Sequence, residues 1–335
     1  MNDSIISLST GGGGRAMQRL IKDVLFKHFK GSELREMRDA SYFMPTELIP
    51  NGELAISTDS FVVTPEIFPG GNLGKLAVAG TTNDLACAGA VPQYITCALV
   101  IPEGYRLDTI ETIIATFAQA ADEADVEIIA GDTKVIPAGE LSGLIINTTG
   151  VGRLIKRTND YASIKVGDRV IITSDIARHG IAISLARGEF GFEGIVESDC
   201  NILCKMLNNI LGFDVHFIRD ATRGGVAAVL NEIADKTGLG FVIDEKTIPL
   251  DDGVEGLCEA LGFDPLDVAN EGVALVVVGA DDVASVLDML HSFDVGTRAT
   301  LCGEVVTNSN VVMTTRVGGR RYIDMPLGEI LPRIC

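Results

Sequence analysis

Three short apolar runs, TLCGEVV, NVVMTT and RRYIDM, follow one another near the end of the chain with no helical segment between them. Strands joined by short links favour antiparallel pairing, because a parallel neighbour needs a crossover long enough to hold a helix. The stretch ELAISTDSFVVTP raises the same constraint earlier: it reads as a strand, a break at Thr58-Asp59-Ser60 and a second strand. Elsewhere strands and helices alternate. This order predicts α+β domains with partly antiparallel sheets and speaks against a doubly wound parallel sheet.

The first part reads β-β-α-β-α-β-β. NLGKLAVAGTTNDLACAGA is rich in small residues and predicts a buried helix, with a break near Thr81-Thr82 as the alternative. QYITCALVIP, VEIIAGDT and LIINTTGVGRL predict strands. LDTIETIIATFAQAADEA is the cleanest helix: Leu107, Ile110, Ile113, Ile114, Phe117 and Ala121 fall on one stripe, and Asp108 with Glu111 resembles a capping box. Ahead of these, RAMQRLIKDVLFKHF predicts a helix. The polar stretch KRTNDYASIKVGD marks a boundary, dividing the chain into domains at 1–155 and 156–324 with a tail at 325–335. In the second part RVIITSD, GFVID and ALVVVGA predict strands. HGIAISLARG, ESDCNILCKMLNNIL, DATRGGVAAVLNEIADKTG, VEGLCEALG and DDVASVLDML predict helices.

At 335 residues each half is large enough for its own core, and with no Trp those cores are built from Val, Ile, Leu and Ala. Lys and Arg number 27 against 46 Asp and Glu, a net charge of -19. That balance argues against nucleic acid or an anionic membrane surface as partner. A small anionic ligand would need to arrive with a metal ion. Seven scattered cysteines without a C-x-x-C pair argue against a disulfide framework. With no basic leader and no long apolar run, a reducing cytoplasm is the expected setting.

Several stretches carry candidate chemistry. In STGGGGRAM, Gly11, Gly12, Gly13 and Gly14 precede a predicted helix; they read as a flexible N-terminal loop ahead of an anion site, in which backbone N–H groups would surround the anion. Asp59 lies between two predicted strands, Asn83 and Asp84 lie in the small-residue helix, and Asp132, Thr133 and Lys134 follow the apolar run VEIIA. A hard cation such as Mg²⁺ takes a few such carboxylates and completes its shell with water and phosphate. Each acid alone reads first as a turn cap, and only several together, with a glycine loop and a lysine, point to a Mg-nucleotide. Asp220 and Arg223 stand before the glycines that open a helix, and Glu271 sits between Asn270 and Gly272 before a strand, where it reads first as part of a strand-entry turn and second as a carboxylate able to act as general base. His179 reads as a helix cap ahead of a phosphate contact, and Cys200 with Cys204, four apart on one predicted helix, read as packing residues. Last, the chain stops at GEILPRIC, with the Cys335 thiol beside the terminal carboxylate.

The motifs STDSFVV, FPGGNLGKLAVAGTTNDLACAGAVP, AGDTKV, RDATRGGVAAVLNEIA, ANEG and the terminal LPRIC together resemble the HypE family of hydrogenase maturation proteins. That family is part of a superfamily that includes aminoimidazole ribonucleotide synthetase and selenophosphate synthetase. The resemblance spans essentially the whole chain. It implies a ferredoxin-like N-terminal domain that dimerises, a C-terminal α/β domain, and an ATP and Mg²⁺ site near the dimer interface. By that resemblance Asp59, Asp84 and Asp132 are the metal or phosphate-side residues and Lys134 contacts phosphate. Asn83, Thr133, Asp220, Arg223 and the Gly11–Gly14 loop complete the ATP site, and Glu271 is the base. The implied reaction is ATP-dependent dehydration of a carbamoyl group on Cys335 to a thiocyanate, source of the cyanide ligands of a [NiFe] centre. The implied partners are a second copy, the carbamoyltransferase HypF, and a HypC–HypD complex as acceptor. One departure stands out: Thr10-Gly11 occupies the place where a histidine-glycine pair is expected. Two other readings belong beside this one, namely a synthetase or kinase of a free small molecule and a non-enzymatic thiol carrier.

Overall fold

The structure is a computed structural model. It describes residues 41–43, 52–137, 139–188 and 196–328, together with Arg15, Gln18, Phe190, Gly191 and Gly194. Thr10, the Gly11–Gly14 loop and Cys335 lie outside the described residues, as does nearly all of the first predicted helix.

The first half is a five-stranded sheet with helices on one face. Its strands are β1 (Ser41–Phe43), β2 (Leu54–Phe61), β5 (Ala90–Pro102), β6 (Glu127–Ile136) and β7 (Ile145–Leu154), in the order β1-β2-β7-β5-β6. All neighbours are antiparallel except β5 and β6. A small ribbon of β3 (Ile67–Phe68) and β4 (Gly71–Asn72) leads into helix α1 (Leu73–Cys87). Asn72 caps α1, its Oδ1 accepting the N–H groups of Gly74 and Lys75 at 2.9 and 3.2 Å. Helix α2 (Leu107–Ala124) packs on α1, burying Ile113, Phe117 and Ala121.

The second half is a seven-stranded sheet of β8 (Arg169–Ile172), β9 (Val215–Asp220), β10 (Gly240–Asp244), β11 (Ala274–Val278), β12 (Thr300–Val306), β13 (Val311–Thr314) and β14 (Arg320–Tyr322). The order is β14-β13-β10-β12-β8-β11-β9, antiparallel except for β10 with β13. Its helices are α3 (Arg178–Ala186), α4 (Cys204–Ile210), α5 (Gly225–Thr237), α6 (Asp252–Leu261) and α7 (Val283–His291). Every residue of β11 is buried. Leu275 and Val277 feed one core, while Ala274, Val276 and Val278 face another that runs on through Leu203 and Met206 to Leu76, Phe61 and Ile95 of the first half. The mixed, mainly antiparallel sheets agree with the α+β reading.

Helix α1 is the keel between the halves. It packs against β2, β5, β7 and α2 on one side and against α4 and β9 on the other. A helix packed on nearly all sides carries no broad polar stripe, which is why its sequence is small and mostly apolar, with its polar residues, Lys75 apart, gathered in the last two turns at Thr81–Asp84. It runs through Thr81-Thr82 unbroken, with the Thr82 hydroxyl donating to the Val78 carbonyl oxygen at 2.8 Å.

Four expectations need correction. There is no break at Thr58-Asp59-Ser60: β2 is continuous through them, each residue paired on β7. β6 likewise continues through Gly131-Asp132-Thr133-Lys134, because pairing with β5 outweighs the weak strand preference of glycine and aspartate. The predicted helix from Glu197 starts only at Cys204, since segment 197–203 is irregular and hydrogen-bonded across the seam to Pro69, Asn83 and the Glu271–Gly272 turn, and Cys200 precedes the helix. The Asp108–Glu111 capping box is absent: Arg106 is the N-cap and Asp108 pairs with it.

Candidate functional site

The site grows from the last turn of α1. Ser57 and Asp59 are two apart on β2 and so share the face turned toward this helix. The Ser57 hydroxyl donates to Asp84 Oδ2 at 2.6 Å, tying helix to strand. Asp59 accepts the Ser60 N–H at 2.7 Å, while its carbonyl oxygen accepts from Asn147 at 2.8 Å. Burial pushes the Asp59 carboxyl above its ordinary range, and the Arg223 guanidinium facing it from the second half pulls it back in part. Asp59 thus faces Arg223 across the seam, and Asp84 is tied to the same face of β2 two residues away through Ser57.

Arg223 stands in the turn between β9, which ends at Asp220, and α5. Asp220 is buried and paired opposite Ala274. Gly224 and Gly225 have φ of +76° and +59°; a Cβ on Gly225 would stand 2.3 Å from the Leu266 carbonyl oxygen, so the turn into α5 needs glycine there. Asn270 joins this turn to the ANEG loop, its Nδ2 donating to the Ala221 carbonyl oxygen at 2.7 Å and its Oδ1 accepting the Ala177 N–H at 2.7 Å. Asn270 therefore brings RDATRGG and ANEG, fifty residues apart in the chain, side by side.

Asn83 and Glu271 are buried and adjacent. Asn83 Nδ2 donates to the carbonyl oxygens of Asn201 and Glu271 at 2.9 and 3.4 Å, and its Oδ1 accepts the Leu203 N–H at 2.8 Å. Its amide is a clasp across the seam. The Asp199 carboxylate accepts the N–H groups of Glu271 and Gly272. Lys75 reaches Asn201 Oδ1 at 3.3 Å. Ser57, Lys75, Asp199 and Asn201 were not among the sequence candidates. The reading of ESDCNIL as helix hid Asp199 and Asn201, and no spacing signal marks the other two.

Asp132 and Lys134 are exposed on β6, at the far edge of the sheet. Two strands separate β6 from β2, about 14 Å at the usual strand spacing. One chain therefore does not bring Asp132, Thr133 or Lys134 to Asp59 and Asp84. Among the described residues no group of three or more His, Cys, Asp or Glu stands close enough to hold a metal ion.

His179 is fully buried in the first turn of α3, its Nδ1 2.8 Å from Ser198 Oγ and its ring edge-on to Phe68. It does not cap the helix, whose N-cap is Ala177. Cys200 and Cys204 are packing residues: burial pushes the Cys204 thiol up to about 12 and Cys200 well above the usual range.

The tail leaves the fold at the same place. Pro326 Cγ lies 3.8 Å from where a Cβ on Gly224 would stand, and the described chain ends two residues later at Gly328. Among the described residues no helix is long and apolar enough to cross a membrane.

Known proteins share this arrangement. The AIR synthase related protein N-terminal domain matches residues 39–154, and the AIR synthase related protein C-terminal domain matches residues 165–315. The carbamoyl dehydratase HypE of Rhizobium leguminosarum bv. viciae is 43% identical over 98% of this chain and 95% of its own length. A solved HypE–HypF complex superposes with a TM-score of 0.86 at 38% identity, covering 92% of this chain and 99% of that one. A solved hydrogenase maturation protein HypE in complex with ATP gives 0.81 at 36% identity, covering 99% of this chain and 100% of that one.

Proposed function

This chain belongs to the HypE family of carbamoyl dehydratases, within the AIR synthase related proteins, and from that premise we propose that it uses ATP to dehydrate a carbamoyl group carried on its own Cys335. The product is a thiocyanate on the Cys335 sulfur, a source of cyanide ligands for a hydrogenase iron. The observation that carries this reading is the exit of the tail beside Gly224 and Arg223, next to Asp59 and Asp84. Seven residues separate Gly328 from Cys335, so the thiol can travel about 23–25 Å from that point. That span reaches the seam and also reaches outward to a partner.

The chemistry follows from the groups at the seam. The carbamoyl oxygen is a poor leaving group. Its attack on the γ-phosphorus of ATP breaks the bond to ADP and makes that oxygen part of a phosphate ester, with loss of one N–H proton. Removing the second N–H proton as the C–O bond breaks expels inorganic phosphate and leaves C≡N on sulfur. Glu271 takes a proton in this scheme, and Arg223 with the glycine-rich turn into α5 and the Gly11–Gly14 loop steadies phosphate charge. Asp59 and Asp84 suit Mg²⁺, which takes one or two carboxylates beside phosphate oxygens and water. Mg²⁺ bound there would neutralise charge on the transferring phosphoryl group.

Lys134 and Asp132 enter through a second copy. The sheet face away from α1 and α2 exposes Ile56, and Tyr94, Ile128, Ile129 and Val135 are exposed toward the β6 edge. Pairing two such sheets in a homodimer would cover this apolar surface and carry β6 of one copy toward the seam of the other. The solved HypE–HypF complex of a relative supports HypF as a partner; in this reading HypF delivers the carbamoyl group, and a HypC–HypD complex takes the product.

The test is mass spectrometry of the terminal peptide after the carbamoylated protein meets ATP and Mg²⁺. Loss of one water at Cys335 is the expected result. Loss of water from a free small molecule, or an unchanged adduct despite ATP binding, would overturn the proposal.

A further inference from the structure

Asp199 lies in the irregular segment between α3 and α4, where the two halves meet. Its side chain is almost wholly buried. Oδ2 accepts two consecutive backbone N–H groups, Glu271 at 3.0 Å and Gly272 at 2.9 Å. Oδ1 is buried with no hydrogen-bond partner among the described residues. The two segments approach so closely that a Cβ on Gly272 would stand 1.9 Å from the Asp199 carbonyl oxygen, so only glycine can follow Glu271. From the other side Asn83 donates to the Glu271 carbonyl oxygen. The main chain of Glu271 is therefore held at its N–H by one element and at its carbonyl by another.

Stability alone does not account for this choice of residue. A neutral acceptor would satisfy the same two N–H groups without leaving an unpaired carboxylate oxygen in the interior, where such an atom is costly. A carboxylate brings rigidity, because charge-assisted hydrogen bonds are shorter and roughly twice as strong as neutral ones. We propose that Asp199 is a positioning residue: it clamps the Glu271–Gly272 turn so that the Glu271 side chain is fixed for proton abstraction. This rests on the reading of Glu271 as the base.

The experiment measures dehydration of the carbamoylated full-length protein at saturating ATP, together with KM for ATP and Tm. Asp199→Ala should lower kcat by about 100-fold, the scale on which a misplaced group costs rate. KM for ATP should stay within about threefold, since ATP binding does not pass through this clamp. Asp199→Asn keeps an acceptor for both N–H groups, so it should recover part of the lost rate, short of the wild type because its hydrogen bonds are no longer charge-assisted. If Asp199→Ala does not fold, Gly272→Ala, which forces the two segments apart, should show the same selective loss. In a Glu271→Gln background, Asp199→Ala should add no further loss, as expected for two groups acting as one unit.

Asp199→Ala at full rate while Glu271→Gln is dead would overturn the clamp alone. Asn as slow as Ala, or kcat and KM worsening together, would also overturn it. Glu271→Gln at full rate would overturn the base assignment instead, leaving the cause of the two failures distinct.

Discussion

At the scale of single residues, the seam holds carboxylates that folding alone would not choose. Asp59 is kept by burial above its ordinary value of 3.8 despite Arg223. Folding therefore disfavours its ionised form relative to the unfolded chain. The penalty is absent below the unfolded value, grows as pH rises through the folded value, and is complete above it. Asp59→Asn should accordingly raise Tm at neutral pH without nucleotide, and should show no gain at a pH below the unfolded value. The same variant should weaken ATP-Mg²⁺ binding in calorimetry. Asp267 offers a second case, on the segment packed behind the glycine turn into α5. Burial first, then the Asp264 charge, raise it to about 7 from 3.8, with Arg321 pulling it back. Asp267→Asn should raise Tm above about pH 7 and leave it unchanged below the unfolded value, as read by thermal unfolding across pH. Equal gains at all pH would mean packing, not charge.

Helix α1 and its partners set the next scale. Asn83 spends its amide on three backbone groups drawn from two segments of the second half. Asn83→Ala should cost about 2–4 kcal/mol in denaturant unfolding, since it strands two carbonyls and one N–H in the interior. It should also slow dehydration, because the Glu271 carbonyl loses its tether; a stable variant of wild-type rate would remove Asn83 from the clasp. The strands show how far pattern reading reaches. The apolar cores of β2 and β6 are legible from their alternation and β-branched content. Their polar middles are not, because Thr58-Asp59-Ser60 and Gly131-Asp132 look like turns until a neighbouring strand supplies their hydrogen bonds. Segment 197–203 fails in the opposite sense. It has a helix-compatible composition, yet its contacts with Asn83 and the Gly272 turn hold it irregular.

On the scale of the whole molecule, the exposed apolar residues of the first sheet argue for a second copy. Val135→Glu on β6 should shift sedimentation from dimer to monomer and reduce dehydration with it, since Lys134 would no longer reach a neighbouring seam. A dimer that survives this change would place the interface elsewhere. Cys335→Ala should abolish modification of the terminal peptide and leave ATP binding intact; loss of ATP binding would make the tail structural.

The amino-acid sequence by itself determined the α+β character, through strands that follow one another without a helix between them. It also determined the family, through motifs spread over the chain and the terminal LPRIC. Both are local or linear properties, so no fold is needed to read them. Only the tertiary structure decided which acids meet. It places Asp59 and Asp84 together across β2 and α1, sets Arg223 opposite them, and leaves Asp132 and Lys134 on the far edge of the sheet. It alone exposed Asp199 as the residue gripping Glu271. The physical reason is burial at a seam. A hydrogen bond between segments far apart in the chain is specified by the packing of two halves around one helix, and no periodicity along either segment records it.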